Sequence, residues 1–406
     1  MKKFDCIIAG AGLSGFAAAV GASAAGAKVL LLDSMPCVGG TAVYTITPVL
    51  SGWRKAEWCT GVGQILSDKL RKNNAYFWSN TCRILAHEDQ LQRAMLEVLQ
   101  DHGVEMLFNA PLCGVKRSQD RIESVTVTTS GGLLELGANT FVDATGSAAL
   151  SVLAGAETVV PDDEVSMTKT LMFKVRNVKG FDRDEVRSLF KEHVSEFPVR
   201  IQNSFMGLPL PETGDVLLNL TAVTGNAADP DVFSAMYGEL FAQIDPIMEF
   251  MRRNIPCFSE AVVTKVAPVV GVRYTRSVRG LCRIEMDDLF NQKMTSEPVA
   301  FCSDYIGGHY VKKYESPWGA KVIGDPAVPY GAIRARGISN LLTAGRIIDI
   351  DPRAVTAIRL AAQCIGTGQA AGIAAALGVP DYQTLYAELD RQNCMQWLKD
   401  VKNKTV

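Results

Sequence analysis

The sequence predicts an α/β protein in which a wound parallel sheet is laid down in two sequence segments around an inserted α+β unit. Three observations carry this. A short apolar run, a glycine turn and a small-residue helix occupy the first thirty-three positions. The same small-residue texture returns between Asn340 and Leu377. Between them, from about 157 to 324, charged residues, prolines and alternating strands replace it. A chain of 406 residues, 48% of them hydrophobic, can bury the cores this layout needs.

Phe4 to Ala9 reads as a buried strand, and Leu13 to Ala25 as a helix with Gly15, Ala18, Ala19 and Ala22 on the side that lies against a sheet. Lys28 to Leu32 is a second strand, which completes a βαβ unit. A helix from Glu88 to His102 leads through Gly103 into the strand Val104 to Phe108. Strands Ile122 to Thr128 and Leu133 to Leu136 are joined by the Ser130-Gly131-Gly132 turn, and a separate strand, Thr140 to Ala144, ends at Thr145-Gly146. Pro161, Pro198, Pro209 and Pro211 mark the changed texture beyond Gly155. From Asn340 the order is a strand, Leu341 to Ala344, a turn at Gly345, an irregular stretch to Pro352, and one long helix from Val355 to Leu377. The expected division is 1–156 and 325–406 for the split domain, with 157–324 inserted as the substrate domain.

A net charge of -2, with acids and bases dispersed and no basic stripe, argues against a nucleic-acid partner. No apolar run reaches the length of a membrane span, and Asp5 interrupts the only N-terminal stretch that resembles a leader. The ten cysteines stand singly, without C-x-x-C spacing, as expected of reduced thiols in a cytoplasmic protein.

Gly10, Gly12 and Gly15 form G-x-G-x-x-G between the first strand and helix. The tight turn, the open backbone and the close helix packing suit a pyrophosphate at a helix N-terminus, the Rossmann-type arrangement. Asp33 closes the second strand, where a carboxylate accepts from ribose hydroxyls and repels a 2′-phosphate, which disfavours NADP. Three further features, taken together, point to FAD rather than NAD. Gly39-Gly40-Thr41 lets the chain pass close to a diphosphate. Asp143-Ala144-Thr145-Gly146 ends a strand at the same sheet edge. Ala344-Gly345-Arg346 precedes a helix whose dipole suits the pyrimidine end of a reduced flavin.

With AGAGLSGFAAA and Asp33, VGGTAV at 38–43, VDATGSAALSVLAGA at 142–156, VVGVRYTRSVRG at 269–280, VPYGAIRARGISNLLTAGR at 328–346 and CIGTGQAAGIAAALG at 364–378, the chain resembles the FAD-dependent oxidoreductase family with a glutathione-reductase-like FAD domain. The resemblance implies cofactor contact for Gly10, Gly12, Gly15, Asp33, Ser34, Gly39, Gly40, Thr41, Thr145, Gly146, Gly345 and Arg346, and a backbone contact from Leu112 to adenine. Ser147 stands where the family has an acidic residue, and the loop Ile347 to Arg353 departs from the family's wording. Gly366, Gly368 and Gly372 follow no strand and read as helix-packing glycines rather than a second dinucleotide site.

Flavin carries the hydride chemistry, so few side chains are obligatory. His309, flanked by glycines in the inserted domain where the family often has a histidine, is the candidate proton-transfer group. Arg273 is the candidate clamp for a substrate carboxylate, with Arg276 and Arg279 nearby. Tyr44, Thr45 and Tyr330 are candidate lining groups. His87, His102 and His193 suit exposed roles, and no second ligand at metal spacing accompanies His309. The expected activity is hydride transfer between noncovalent FAD and a small organic substrate. A non-redox isomerase or cyclase, and a flavin-holding subunit or sensor, are the competing readings. Neither the electron donor or acceptor nor the oligomeric state is encoded in a motif.

Overall fold

The computed structural model describes residues 2–47, 49–73, 77–79, 83–162, 167–199, 205–210, 213–290, 295–303, 305–306, 320–321 and 325–404. The N-terminal βαβ unit consists of β1 (Lys2–Ala9), α1 (Leu13–Ala24) and β2 (Val29–Leu32), with β1 and β2 parallel and Cys6 opposite Val29. Every residue of α1 from Ser14 to Ala22 is buried, which is possible because six of these nine residues are Ala or Gly. The five-residue helix α2 (Gly40–Tyr44) follows the second glycine pair. Helix α3 (Glu88–Asp101) buries Leu91, Ala94, Met95, Val98 and Leu99, one apolar stripe at helical spacing.

β3 (Glu105–Leu107) pairs parallel to β2. β4 (Leu112–Ser118) and β5 (Arg121–Thr129) form a hairpin that continues into β6 (Gly132–Asp143). The two strands expected over 133–144 are one strand of 12 residues. Gly137 does not break it because neighbours pair with it on both sides, Ser124 of β5 and Lys3 of β1. The first half of β6 is therefore the edge of an antiparallel meander, and its second half lies inside the parallel sheet. After β6 the chain enters the short helix α4 (Ala149–Leu153).

A second, four-stranded antiparallel sheet has the order β8-β9-β7-β10, where β7 is Phe173–Arg176, β8 Gly207–Leu210, β9 Asp215–Leu218 and β10 Val262–Val266. Phe173, Phe190, Phe205, Phe250 and Phe258 fill the core beneath it. Tyr274, Ile284, Leu289 and Val299 belong instead to the core around α1. β11 (Leu341–Thr343) then joins β6 in parallel, so the parallel part of the main sheet reads β3-β2-β1-β6-β11.

The single helix expected over 355–377 is two helices, α5 (Thr356–Arg359) and α6 (Ala361–Ala376), separated by Leu360 in an extended conformation at φ -72° and ψ 166°. The break has a tertiary cause. The Ala362 amide, which an unbroken helix would give to Ile358, donates to the Ser51 carbonyl at 3.0 Å. α6 crosses α1 in backbone contact: a Cβ on Gly368 would lie 2.2 Å from the Ser14 oxygen, and one on Gly372 2.0 Å from the Ala18 oxygen.

The two sheets meet at a buried ion cluster. Glu88, at the start of α3, accepts from Lys174 of β7 at 2.8 and 2.9 Å and from Lys265 of β10 at 2.9 Å. Burial raises the Glu88 carboxyl, but hydrogen bonds from the two lysines outweigh it and bring the group down to about 2. His87 is half-buried rather than exposed, with its ring 3.4 Å from the Lys174 ammonium, because it begins the helix that carries Glu88 into this seam. Among the described residues no helix is long and apolar enough to cross a membrane.

Candidate active site

The first glycine turn sits at the C-terminal ends of β1 and β2. The Gly10 amide donates to Leu32 O at 2.8 Å, which locks the turn to the sheet, and the Ala11 amide donates to Asp33 Oδ2. Asp33 also accepts from the Met35 amide at 2.8 Å, and the Ser34 hydroxyl lies 3.4 Å from Oδ1. The half-buried carboxylate thus ties the two strand ends together, and its Oδ2, with the Ala11 amide as its one donor here, keeps a lone pair for a hydroxyl at the mouth. Leu112 is half-buried at the first position of β4, just beyond the Asn109–Ala110 turn whose amides bond to Met35 and Asp33.

The glycines differ in what forbids a side chain. A Cβ on Gly10 would meet the Ala144 oxygen at 2.5 Å, one on Gly15 the Gly10 oxygen at 1.6 Å, and one on Gly40 the Gly12 Cα at 2.7 Å. Protein packing alone requires these three. Gly12 is different: its φ is -74°, and a Cβ there would have a single neighbour, Gly40 Cα, at an ordinary 3.7 Å. Nothing in the fold demands glycine at 12, yet the position opens directly above the N-terminus of α1. The second glycine turn forms the facing wall, where Gly39 (φ 122°) donates its amide to Ala11 O at 2.9 Å. This cradle fits a dinucleotide diphosphate, because free helix amides and a side-chain-free approach coincide.

Asp143, fully buried at the end of β6, organises the next turn. It accepts from the Thr145 amide at 3.0 Å and hydroxyl at 2.7 Å, and from the Ser151 amide at 2.8 Å and hydroxyl at 2.7 Å. Thr145 Oγ1 in turn accepts from the Ala149 amide at 2.9 Å. Asp143 stands inside the quoted motif, but its role depends on Ser151, eight positions on, and was not legible.

Gly345, at φ 75°, leaves no room for a Cβ beside Ser14 Oγ at 2.3 Å, and its amide donates to Thr367 Oγ1 at 3.0 Å. The following Arg346 reaches across the site. Its Nε donates to Gly146 O at 2.9 Å and its Nη1 to Thr41 Oγ1 at 3.2 Å. Residues from three distant motifs therefore converge on one guanidinium.

On the opposite side, Thr45 caps α2, bonds to Thr41 O at 2.7 Å and lies 3.7 Å from the Cβ position of Gly271. Two residues on, Arg273 is half-buried and donates from Nη1 to Thr168 O at 2.7 Å. Burial, reinforced by the neighbouring Arg359 cation, lowers the affinity of the Arg273 guanidinium for its proton. Arg279 instead pairs with buried Asp349 at 3.4 Å and with Glu157. The Tyr44 hydroxyl donates to Cys37 O, and the Tyr330 hydroxyl to Pro380 O from inside the core, so both are occupied in packing. His309 lies outside the described residues.

A parallel α/β sheet with a side-chain-free diphosphate cradle at its strand ends is the Rossmann-type arrangement of dinucleotide-binding enzymes. The family model for FAD dependent oxidoreductases matches residues 5–399, and the chain belongs to that family. It is an FAD-dependent oxidoreductase, and its cofactor is FAD. No curated protein matches the sequence.

Among solved structures, a geranylgeranyl bacteriochlorophyll reductase-like protein from Thermoplasma acidophilum is similar with a TM-score of 0.52 and 14% identity, over 97% of this chain and 84% of that one. The aromatic hydroxylase CabE of angucycline biosynthesis has a TM-score of 0.52 and 13% identity, over 99% and 72%. The flavin-dependent brominase Bmp2 has a TM-score of 0.51 and 13% identity, over 97% and 84%. At these identities the likeness is one of fold.

Proposed function

We propose that the chain holds FAD noncovalently along a glutathione-reductase-like domain formed by 1–156 and 325–406, and that it oxidises or reduces a small organic substrate held against the inserted unit 157–324. Bound FAD supplies the hydride acceptor or donor. In this reading Asp33, with Ser34 and Leu112 beside it, holds the adenosine end. Gly10, Gly12 and Gly15 present the α1 amides to the diphosphate. Gly39, Gly40, Thr41, Thr145, Gly146, Gly345 and Arg346 line the path toward the ring. The observation that carries the reading is the open position at Gly12, a glycine that only a ligand requires.

Arg273 fixes an anionic or carbonyl group of the substrate, and His309 exchanges the proton that accompanies hydride transfer. The described cysteines are all free thiols, which supports a reducing, cytoplasmic setting. The test is anaerobic titration of the yellow protein against a metabolite panel. Bleaching by a compound that emerges changed in oxidation state supports redox turnover. A compound rearranged without net oxidation would replace that reading with an isomerase or cyclase.

A further inference from the structure

Residues from the segments 281–289, 295–297 and 326–334 line a cavity of about 480 Å³, within the range of small-molecule sites. None of them belongs to the glycine cradle. Backbone hydrogen bonds fix the frame of this cavity. Ala327 pairs with Phe301 in a two-stranded antiparallel sheet, the Tyr330 amide donates to Glu297 O at 2.8 Å, and the Leu281 amide is shared between Gly331 O at 2.9 Å and Arg334 O at 3.1 Å. Leu281, Glu297 and Arg334 therefore hold set positions around one space.

Four charged side chains line the cavity, and two of them are already engaged. Arg283 Nε lies 3.4 Å from the Glu285 carboxylate, and Asp288 Oδ2 accepts from the Glu285 amide at 3.0 Å. Arg334 and Glu297 differ: both are half-buried, and among the described residues neither side chain has an ion pair or a hydrogen bond. The Arg334 guanidinium is instead held 5.1 Å from the centroid of the buried Tyr330 ring, a contact that positions it without neutralising it. Opposite charges that share a cavity and do not meet leave each other unsatisfied. A molecule carrying both an ammonium and a carboxylate satisfies both, whereas an ion of one sign satisfies only one. A guanidinium keeps its in-plane N–H donors for a carboxylate, and an ionised carboxylate, which only accepts, suits an ammonium. We propose that this cavity binds a small zwitterion of the amino-acid type, its carboxylate on Arg334 and its ammonium on Glu297, at a site separate from that of the flavin.

The test uses the full-length, FAD-loaded protein, titrated calorimetrically with glycine, 4-aminobutanoate and 6-aminohexanoate, which separate the two charges by increasing lengths. Butylamine and butanoate, with one charge each, are the controls. At least one zwitterion is expected to bind saturably, about tenfold or more tighter than either control. Arg334→Gln should remove its advantage over butylamine and Glu297→Gln its advantage over butanoate, each weakening the zwitterion by about tenfold or more. FAD content should be unchanged in both, because neither side chain lines the cradle. Glu297→Gln, which has no side-chain partner to lose, is the deciding variant if Arg334→Gln does not fold. Absence of saturable binding by all three zwitterions, a control that binds as tightly, or an unchanged affinity in Glu297→Gln would overturn the proposal. The heat of binding needs no turnover, so the result stands apart from the redox reading.

Discussion

Arg346 Nε donates to the carbonyl oxygen of Gly146 at 2.9 Å, joining two residues 200 positions apart. The contact needs Gly146 to lack a side chain, since a Cβ there would lie 2.4 Å from the Arg346 guanidinium. The same side chain reaches Thr41, so the three turns around the cradle share one donor group.

Replacing Arg346 by alanine removes two hydrogen bonds, each made by a charged donor and worth on the order of 1.5–3 kcal/mol. The fold has other ties, so the expected outcome is a folded protein whose FAD dissociates about tenfold or more faster. Flavin release on dilution, followed by fluorescence, measures it; unchanged release would assign the contact to packing only.

The contrast between Gly12 and Gly15 separates ligand from fold. Gly12→Val should fold with a near wild-type melting temperature when stripped of flavin, yet fail to take up FAD, because its side chain enters the diphosphate path. Gly15→Ala, whose Cβ would overlap the Gly10 oxygen, should lose on the order of several kcal/mol of stability whether or not FAD is present. Paired melting curves of the apo-proteins, and FAD uptake by gel filtration, distinguish the two. Stoichiometric FAD in Gly12→Val would refute the placement of the diphosphate.

The ion cluster at the seam sets an acid limit. Glu88 is held at about 2 against an ordinary value of 4.5, so its contribution to stability is complete above 4.5 and disappears as pH falls toward 2. Glu88→Gln should therefore flatten the acid limb of the melting temperature between those values. Lys174→Met leaves the buried carboxylate with only Lys265 and should destabilise by roughly 3–5 kcal/mol at neutral pH. Denaturant unfolding at pH 7 checks this, and a loss below about 1 kcal/mol would mean that the seam tolerates the charge without Lys174.

His309→Ala should retain FAD and its colour while flavin reduction by a saturating substrate slows by roughly a hundred- to ten-thousand-fold. Anaerobic stopped flow measures the step. A wild-type rate would remove the histidine from proton transfer.

The N-terminal βαβ unit and its glycine fingerprint were legible because they depend on residues close together in sequence, and the choice of FAD because further motifs follow in a fixed order along the chain. Strand, turn and helix declare themselves by apolar runs, glycine and small-residue spacing, and the family's motifs keep that order along the chain. The meander was only half legible. The strand Leu112–Ser118 was not expected because its partner β5 supplies the hydrogen bonds that its polar run does not announce, and Gly137 looks like a break until Lys3 and Ser124 flank it.

The details around the site depend on partners that local pattern does not encode. Leu360 is extended because Ser51 takes the Ala362 amide, which ends α5 at Arg359. The small-residue spacing assigned 355–377 to one continuous helix, because the acceptor that breaks it lies about 300 positions away. Asp143, Glu88 and Arg346 likewise have meaning only through residues 8, 86 and 200 positions away. Local spacing determined the nucleotide-binding unit and its cofactor. Which partners meet Glu88 at the seam and Arg346 at the cradle was decided by tertiary hydrogen bonds, because a buried charge is stable only beside partners that the fold, and not the neighbouring sequence, supplies.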